Sequence, residues 1–172
     1  MPDVIRNRRI EDDAYTVVTL AEGETPETVT LPPGPLLVPL AVWRARRSEL
    51  PAGTGVWLAG DEDPAGIADD LAALPVIAVH FPKFADGRGY SVATLLRTRY
   101  GYRGELRAIG DVLRDQFNYL ARCGFDALQP REGRYTRAQL EAAIASLDDF
   151  TEPYQASAAV PNPLFRRVRR VA

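Results

Sequence analysis

The 172-residue chain is 46% hydrophobic and 26% charged, with a net charge of -2. That is the balance of one ordinary globular domain, and it excludes a global field for nucleic acid and any run near the roughly 20 apolar residues of a membrane span. A single cysteine, Cys123, and a single histidine, His80, exclude an internal disulfide, a multi-His metal site and a four-thiolate iron–sulfur cluster.

The N-terminus, MPDVIRNRRIEDD, has no apolar stretch behind its basic residues. It is therefore not a signal peptide, and the chain is expected in the cytoplasm. Residues 1–35 read as an N-terminal section. Tyr15 to Leu20 and Glu27 to Leu31 alternate and are rich in β-formers, with Gly23 and Pro26 between them, which predicts a hairpin. Pro32-Pro33-Gly34-Pro35 follows as a stiff connector.

From Leu36 the rhythm changes. Leu36 to Leu50 reads as a short strand or turn leading into a helix, and Gly55 to Ala59 as a strand. Asp63-Pro64 supplies an N-cap with proline at the first helical position. Ile67, Leu71 and Leu74 then mark one helical face, and Val76 to Phe81 is apolar on both alternating faces, as in a strand covered on both sides. A helix capped by Ser91 and stopped by Gly101 is expected next, then a strand over Leu106 to Ile109. Asp111 is expected to cap a third helix, which ends at Gly124. Phe125 to Gln129 is a further strand, and Thr136 to Gln139 is a capping box opening a last helix.

Four strand–helix units imply an α/β fold with a mostly parallel sheet. The short, regular units favour a half (β/α)-barrel with an N-terminal β-hairpin; the alternative is an open doubly wound sheet. Three regions follow: 1–35, the hairpin and connector; 36–153, the α/β domain; and 154–172, an Arg-rich tail.

In either architecture ligands bind beyond the carboxyl ends of the parallel strands. Those ends are Gly60-Asp61-Glu62, Lys83 to Arg88, Gly110-Asp111 and Gln129-Pro130-Arg131. The stretch FADGRGYS, 84–91, reads either as a tight turn or as an anion site near a helix N-terminus. On the second reading Lys83, Arg88 and Arg107 hold the anion, and Asp86 or Asp111 serves as acid or base. Arg107, in a covered strand, needs a carboxylate partner, for which Asp86 and Asp111 are the expected candidates. Gly87-Arg88-Gly89 lacks the third glycine of a dinucleotide fingerprint, since Val92 stands there. No cofactor is therefore predicted. A bound flavin or nicotinamide, or a partner, would have to carry electrons in any redox chemistry. His80 reads as a packed strand histidine and Cys123 as core. The tail residues Arg166, Arg167, Arg169 and Arg170 suit an acidic protein partner.

The run from Phe81 to Ala127, FPKFADGRGYSVATLLRTRYGYRGELRAIGDVLRDQFNYLARCGFDA, resembles the signature of a bacterial family of unknown function, family 934 of such domains. LLVPLAVW at 36–43, GVWLAGDEDP at 55–64 and FTEPYQ at 150–155 resemble its flanking blocks. The resemblance implies a setting beside the enzymes of assimilatory sulfate and sulfite reduction, where members are labelled oxidoreductases of sulfite reduction. It carries over no catalytic residues. The expected function is accessory: binding of sulfite reductase, its electron donor or an anionic intermediate. The alternative is an enzyme, an oxidoreductase among the options, acting on a sulfated or phosphorylated small molecule at the strand rim.

Overall fold

The computed structural model describes residues 3–148 and 152–167. Strands β1 (Asp3–Arg6), β2 (Arg9–Asp12), β3 (Thr16–Val17), β4 (Leu36–Pro39), β5 (Gly55–Ala59), β6 (Val76–Phe81), β7 (Glu105–Gly110) and β8 (Ala127–Pro130) form one sheet in the order β2-β1-β8-β7-β6-β5-β4-β3. Every pair from β3 to β8 is parallel, while β1 runs antiparallel to both β8 and β2. Helices α1 (Leu40–Arg46), α2 (Arg88–Thr98) and α3 (Phe117–Cys123) and a 3-10 segment, Pro64–Asp70, make the crossovers, and α4 (Arg137–Ala145) follows the last strand.

The two edge strands, β2 and β3, are joined by Asp13-Ala14-Tyr15 alone. Three residues span at most about 14 Å, so the sheet curls into a half-barrel instead of lying open. Its two faces differ accordingly. Leu36, Val38, Val56, Leu58, Ile77, Val79, Phe81, Leu106 and Ala108 face outward and pack with Val42, Ile67, Val92, Leu96, Phe117, Leu120 and Leu140 of the helical layer. The concave face holds Leu37, Val76, Ala78 and Ile109, packed against Tyr15, Val17 and Trp57 and, among the described residues, against no helix. Helices on one face only separate this fold from a doubly wound sheet.

Several sequence expectations hold to the residue. β5 and β6 occupy Gly55–Ala59 and Val76–Phe81. Asp63 accepts from the Ala65 N–H, and Thr136 and Gln139 form the reciprocal capping box of α4. Gly124 ends α3 at φ +108°. The N-terminal hairpin is present but lies elsewhere. β1 and β2 make it, turning at Asn7-Arg8, both with positive φ, the two-residue turn whose twist suits paired strands. Thr16 and Val17 pair in parallel with Leu36 and Leu37 instead of with residues 27–31, because the parallel edge of β4 offers buried apolar neighbours that a local hairpin lacks. Two helix starts also move. α2 begins at Arg88, ahead of Ser91, and the segment after Asp111 opens only at Arg114.

The stretch after residue 152 packs on the body. Pro153 and Pro163 are buried, and the Ala159 N–H donates to the Arg122 carbonyl at the end of α3. A short helix α5 (Leu164–Arg167) follows, with Leu164 and Phe165 exposed. No helix among the described residues is long and apolar enough to cross a membrane.

Inside the curl lies a charged core. Arg107, fully buried, donates from Nη1 to Asp13 Oδ2 at 2.6 Å and to Gln129 Oε1 at 2.9 Å, and from Nε to Glu105 Oε1 at 2.7 Å. Its guanidinium lies 5.3 Å from the centre of the Tyr15 ring. Arg6 bonds Glu105 from the other side at 2.6 Å and reaches within 3.7 Å of Asp13. The partners are thus Asp13 and Glu105; Asp86 and Asp111, the carboxylates expected from the sequence, belong to loops beyond the strand ends. Removing one member of a buried ion pair strands the other. Arg107→Leu should therefore lower the unfolding free energy in urea by about 3–5 kcal/mol. A loss below about 1 kcal/mol would show that the network does not hold the fold together.

Candidate functional site

Strand register stacks the concave side chains in layers. Val76 pairs with Glu105 in the lowest; Trp57, Ala78, Arg107 and Ala127 align in the next; Ala59, His80, Ile109 and Gln129 align nearest the carboxyl ends. Above that last layer opens a cleft of about 390 Å³, lined by Tyr15, Val17, His80, Ile109, Gln129 and Arg131 with their neighbours. It occupies the mouth of the half-barrel, the end at which parallel α/β folds place their ligands.

Segment 13–18 forms the floor of the mouth. Tyr15 crosses the concave face to donate its hydroxyl to the Gly53 carbonyl at 3.2 Å, and the Val18 carbonyl accepts from Trp57 Nε1 at 2.8 Å. Burial raises the Tyr15 phenol above its ordinary 10.0, with Glu105 adding to the effect. The Tyr15 hydroxyl therefore stays uncharged at neutral pH.

His80 is half-buried, edge-on to Trp57 with ring centres 5.5 Å apart. Gly110, at φ +101°, makes room for it, since a Cβ there would stand 3.0 Å from His80 Nε2. Neither ring nitrogen has a hydrogen-bond partner among the described residues. Burial lowers the imidazole below its ordinary 6.5, and the positive charge of Arg131 lowers it further. The result is a neutral imidazole at pH 7, with one N–H to donate and one nitrogen free to accept.

Gln129 and Arg131 complete the wall. The Oε1 of Gln129 is held by Arg107, which leaves its Nε2 without an acceptor among the described residues, on the lining of the cleft. Arg131 is anchored by its backbone, whose N–H donates to the Gly110 carbonyl at 2.8 Å. Its exposed guanidinium has no ion-pair partner among the described residues. Glu132 is the one carboxylate on the lining.

The residues singled out from the sequence divide differently. Asp86 accepts from the Arg88 backbone N–H at 3.2 Å and pairs with both arms of its guanidinium, at 3.0 and 2.7 Å. The Arg88 side chain and backbone hold the Asp86 carboxyl down at about 2. Asp86 is thus a fixed anion at the start of α2, and Arg88 is its partner, with Asp61 at 3.4 Å on the other side. Asp111 does not cap a helix; it accepts from the Phe84 N–H at 2.9 Å and closes the loop after β6. Gly89 serves packing, because a Cβ there would strike Phe81 and Val79. Lys83 is exposed on that loop, where its carbonyl accepts from the Asp86 N–H at 3.0 Å and its side chain makes no bond among the described residues. Arg107 lies one layer below the cleft and never reaches the rim. The structure therefore does not gather Lys83, Arg88 and Arg107 around one anion.

In the tail, Arg167 bonds the Asn162 carbonyl at 2.6 Å and Glu152 at 3.1 Å, while Arg166 lies over Phe165. Arg169 and Arg170 lie outside the described residues. Cys123 is buried, and burial raises its thiol above the ordinary 9.0. No group of three His, Cys, Asp or Glu that could hold a metal occurs among the described residues.

Two features of the cleft escaped the sequence reading. A histidine between apolar strand neighbours looks like packing until the glycine beside it in space is known. Gln129 and Arg131 stand at a strand end already marked as rim, yet glutamine beside proline carries no motif.

Neither a curated protein nor a solved structure matches the chain. The family model described as Bacterial protein of unknown function (DUF934) matches residues 55–165, from β5 to the start of α5, and so includes His80, Gln129 and Arg131 but not Asp13 or Tyr15. The match spans more than half of the sequence, and the chain belongs to this bacterial family of unknown function, DUF934.

Proposed function

We propose that the protein binds a small oxyanion at the mouth of the half-barrel, as an accessory component of assimilatory sulfite and sulfate reduction. One observation carries the binding: three nitrogen donors without a protein acceptor, His80, Gln129 Nε2 and Arg131, line the same cleft. A guanidinium, an amide N–H and an imidazole N–H together match the acceptor oxygens of sulfite or sulfate. The sulfur setting is supported by the resemblance of residues 81–127. The second element of the proposal is a protein partner, the reductase or its electron donor. Leu164, Phe165 and Arg166 stand together and exposed at the end of the chain body, an apolar centre with a cation beside it, which suits an acidic partner surface.

A second reading, an enzyme acting on a sulfated or phosphorylated small molecule at the same rim, has one observation in its favour. A neutral, unpartnered imidazole beside a cation is equipped for proton transfer, whereas Asp86 and Asp111 are engaged in loop contacts. Turnover of such an ester, abolished by His80→Asn with binding retained, would select this reading.

The accessory reading makes three checkable claims. In calorimetric titration with sulfite and sulfate, Arg131→Ala should weaken binding roughly tenfold to a hundredfold, the value of a charge-assisted hydrogen bond; wild-type protein that binds neither ion would end the proposal. His80 is the only histidine, so its proton resonances are unambiguous. Its pKa should lie below 6.5 in the free protein and rise when the anion binds, since a bound negative charge favours the imidazolium. Because the folded value is the lower one, stability should fall as pH drops through 6.5 towards it, and the anion should offset part of that fall. Truncation at Leu164, which spares the packed segment before it, should abolish retention on immobilised sulfite reductase or its donor and leave anion affinity unchanged. Equal retention of the truncated chain would remove the tail from the proposal.

A further inference from the structure

We infer that Gln129 is the selectivity residue of the cleft, and that buried Arg107 sets it by fixing which end of the amide meets the ligand. The inference rests on the oxyanion reading and deepens it. An amide side chain has an acceptor end and a donor end of nearly equal shape, so its direction comes from its surroundings. Here the surroundings leave one choice. Gln129 is 7% exposed, and the group behind it is the guanidinium of Arg107, which donates and cannot accept. Turned the other way, the NH2 would face that cation, and two donors would meet in a buried space.

Arg107 itself has no freedom to yield. Asp13 Oδ2 at 2.6 Å and Glu105 Oε1 at 2.7 Å hold it from the segment across the floor and from its own strand, and Tyr15 lies against its flat side. The order therefore runs from carboxylates, through a cation, to an amide, and ends on an N–H that points into the mouth. Together with Arg131, this makes the inner wall a donor surface. An oxyanion whose oxygens are all unprotonated, such as sulfate, satisfies that wall. Hydrogenphosphate, of similar size and charge, carries one O–H that would face a donor. The acceptors for this proton lie off the Gln129–Arg131 wall: the free ring nitrogen of His80, across Ile109 in the same layer, and the carboxylate of Glu132, which is exposed. The structure thus assigns a preference for fully deprotonated oxyanions over protonated ones to Gln129, with Arg107 as its positioning residue.

The test is calorimetric titration of the full chain with sulfate and with hydrogenphosphate, for wild type, Gln129→Glu and Arg131→Ala. Gln129→Glu keeps an oxygen facing Arg107, so its melting temperature should not drop, but it puts a second oxygen where the N–H stood. Sulfate affinity should fall by roughly tenfold or more, hydrogenphosphate affinity should fall less, and the sulfate preference should shrink accordingly. In the same variant the His80 pKa should rise, because a carboxylate oxygen facing the cleft favours the imidazolium, and this reports where the new oxygen stands. If Gln129→Glu binds sulfate as wild type does, or loses both ions equally, while Arg131→Ala loses both, the selectivity assignment falls and the oxyanion reading stands. If wild type binds neither ion, both fall together.

Discussion

The guanidinium of Arg107 is the constraint around which the rest of the molecule is arranged. A wholly buried arginine cannot discard its proton, so it must be met by carboxylates in fixed places. One of them, Glu105, lies two residues away on the same strand; the other, Asp13, comes from the opposite end of the chain. Meeting Asp13 draws the segment between the two edge strands across the concave face. That crossing, in turn, lays Tyr15 under the mouth and brings the Val18 carbonyl to Trp57. The third hydrogen-bond partner of the cation, Gln129, belongs to the cleft wall. One ion therefore couples the closure of the sheet to the lining of the cleft.

Much of the frame was legible because it rests on local rules. Val76 to Phe81 had to be a doubly covered strand because no polar face exists for it, and Thr136 with Gln139 announces a helix start through its own side chains. The half-barrel was legible in outline from the regular spacing of the units. What could not be read were the long-range pairings. Arg107 was recognisable as a strand cation in need of a carboxylate, but nothing local distinguishes Asp13 from Asp86 or Asp111. The strongest β-formers, in residues 15–31, point to a hairpin there, while the chain turns at Asn7-Arg8, where one asparagine tolerant of positive φ is the only local cue.

The site shows the same division. FADGRGYS offered an anion-binding turn, and an anion does sit at that helix start, but it is the protein's own Asp86 carboxylate. Where the chain supplies its own counter-ion, the donors are consumed. At the mouth, His80, Gln129 and Arg131 have none, and only the three-dimensional arrangement reveals which strand ends are satisfied internally and which are left open.

The 94 residues separating Asp13 from Arg107 also order events during synthesis. At a ribosomal rate of roughly 5–20 residues per second, Asp13 is exposed for about 5 to 20 s before its partner is made. β1 waits longer still, since its neighbour β8 is completed after β7. Residues 3–13 can pair with each other but cannot dock, and the floor of the mouth is laid only after its walls. A chain halted before β7 would present an open sheet with an unpaired edge and no cation to draw the N-terminal segment home, a form suited to recognition by chaperones and to association with its own copies.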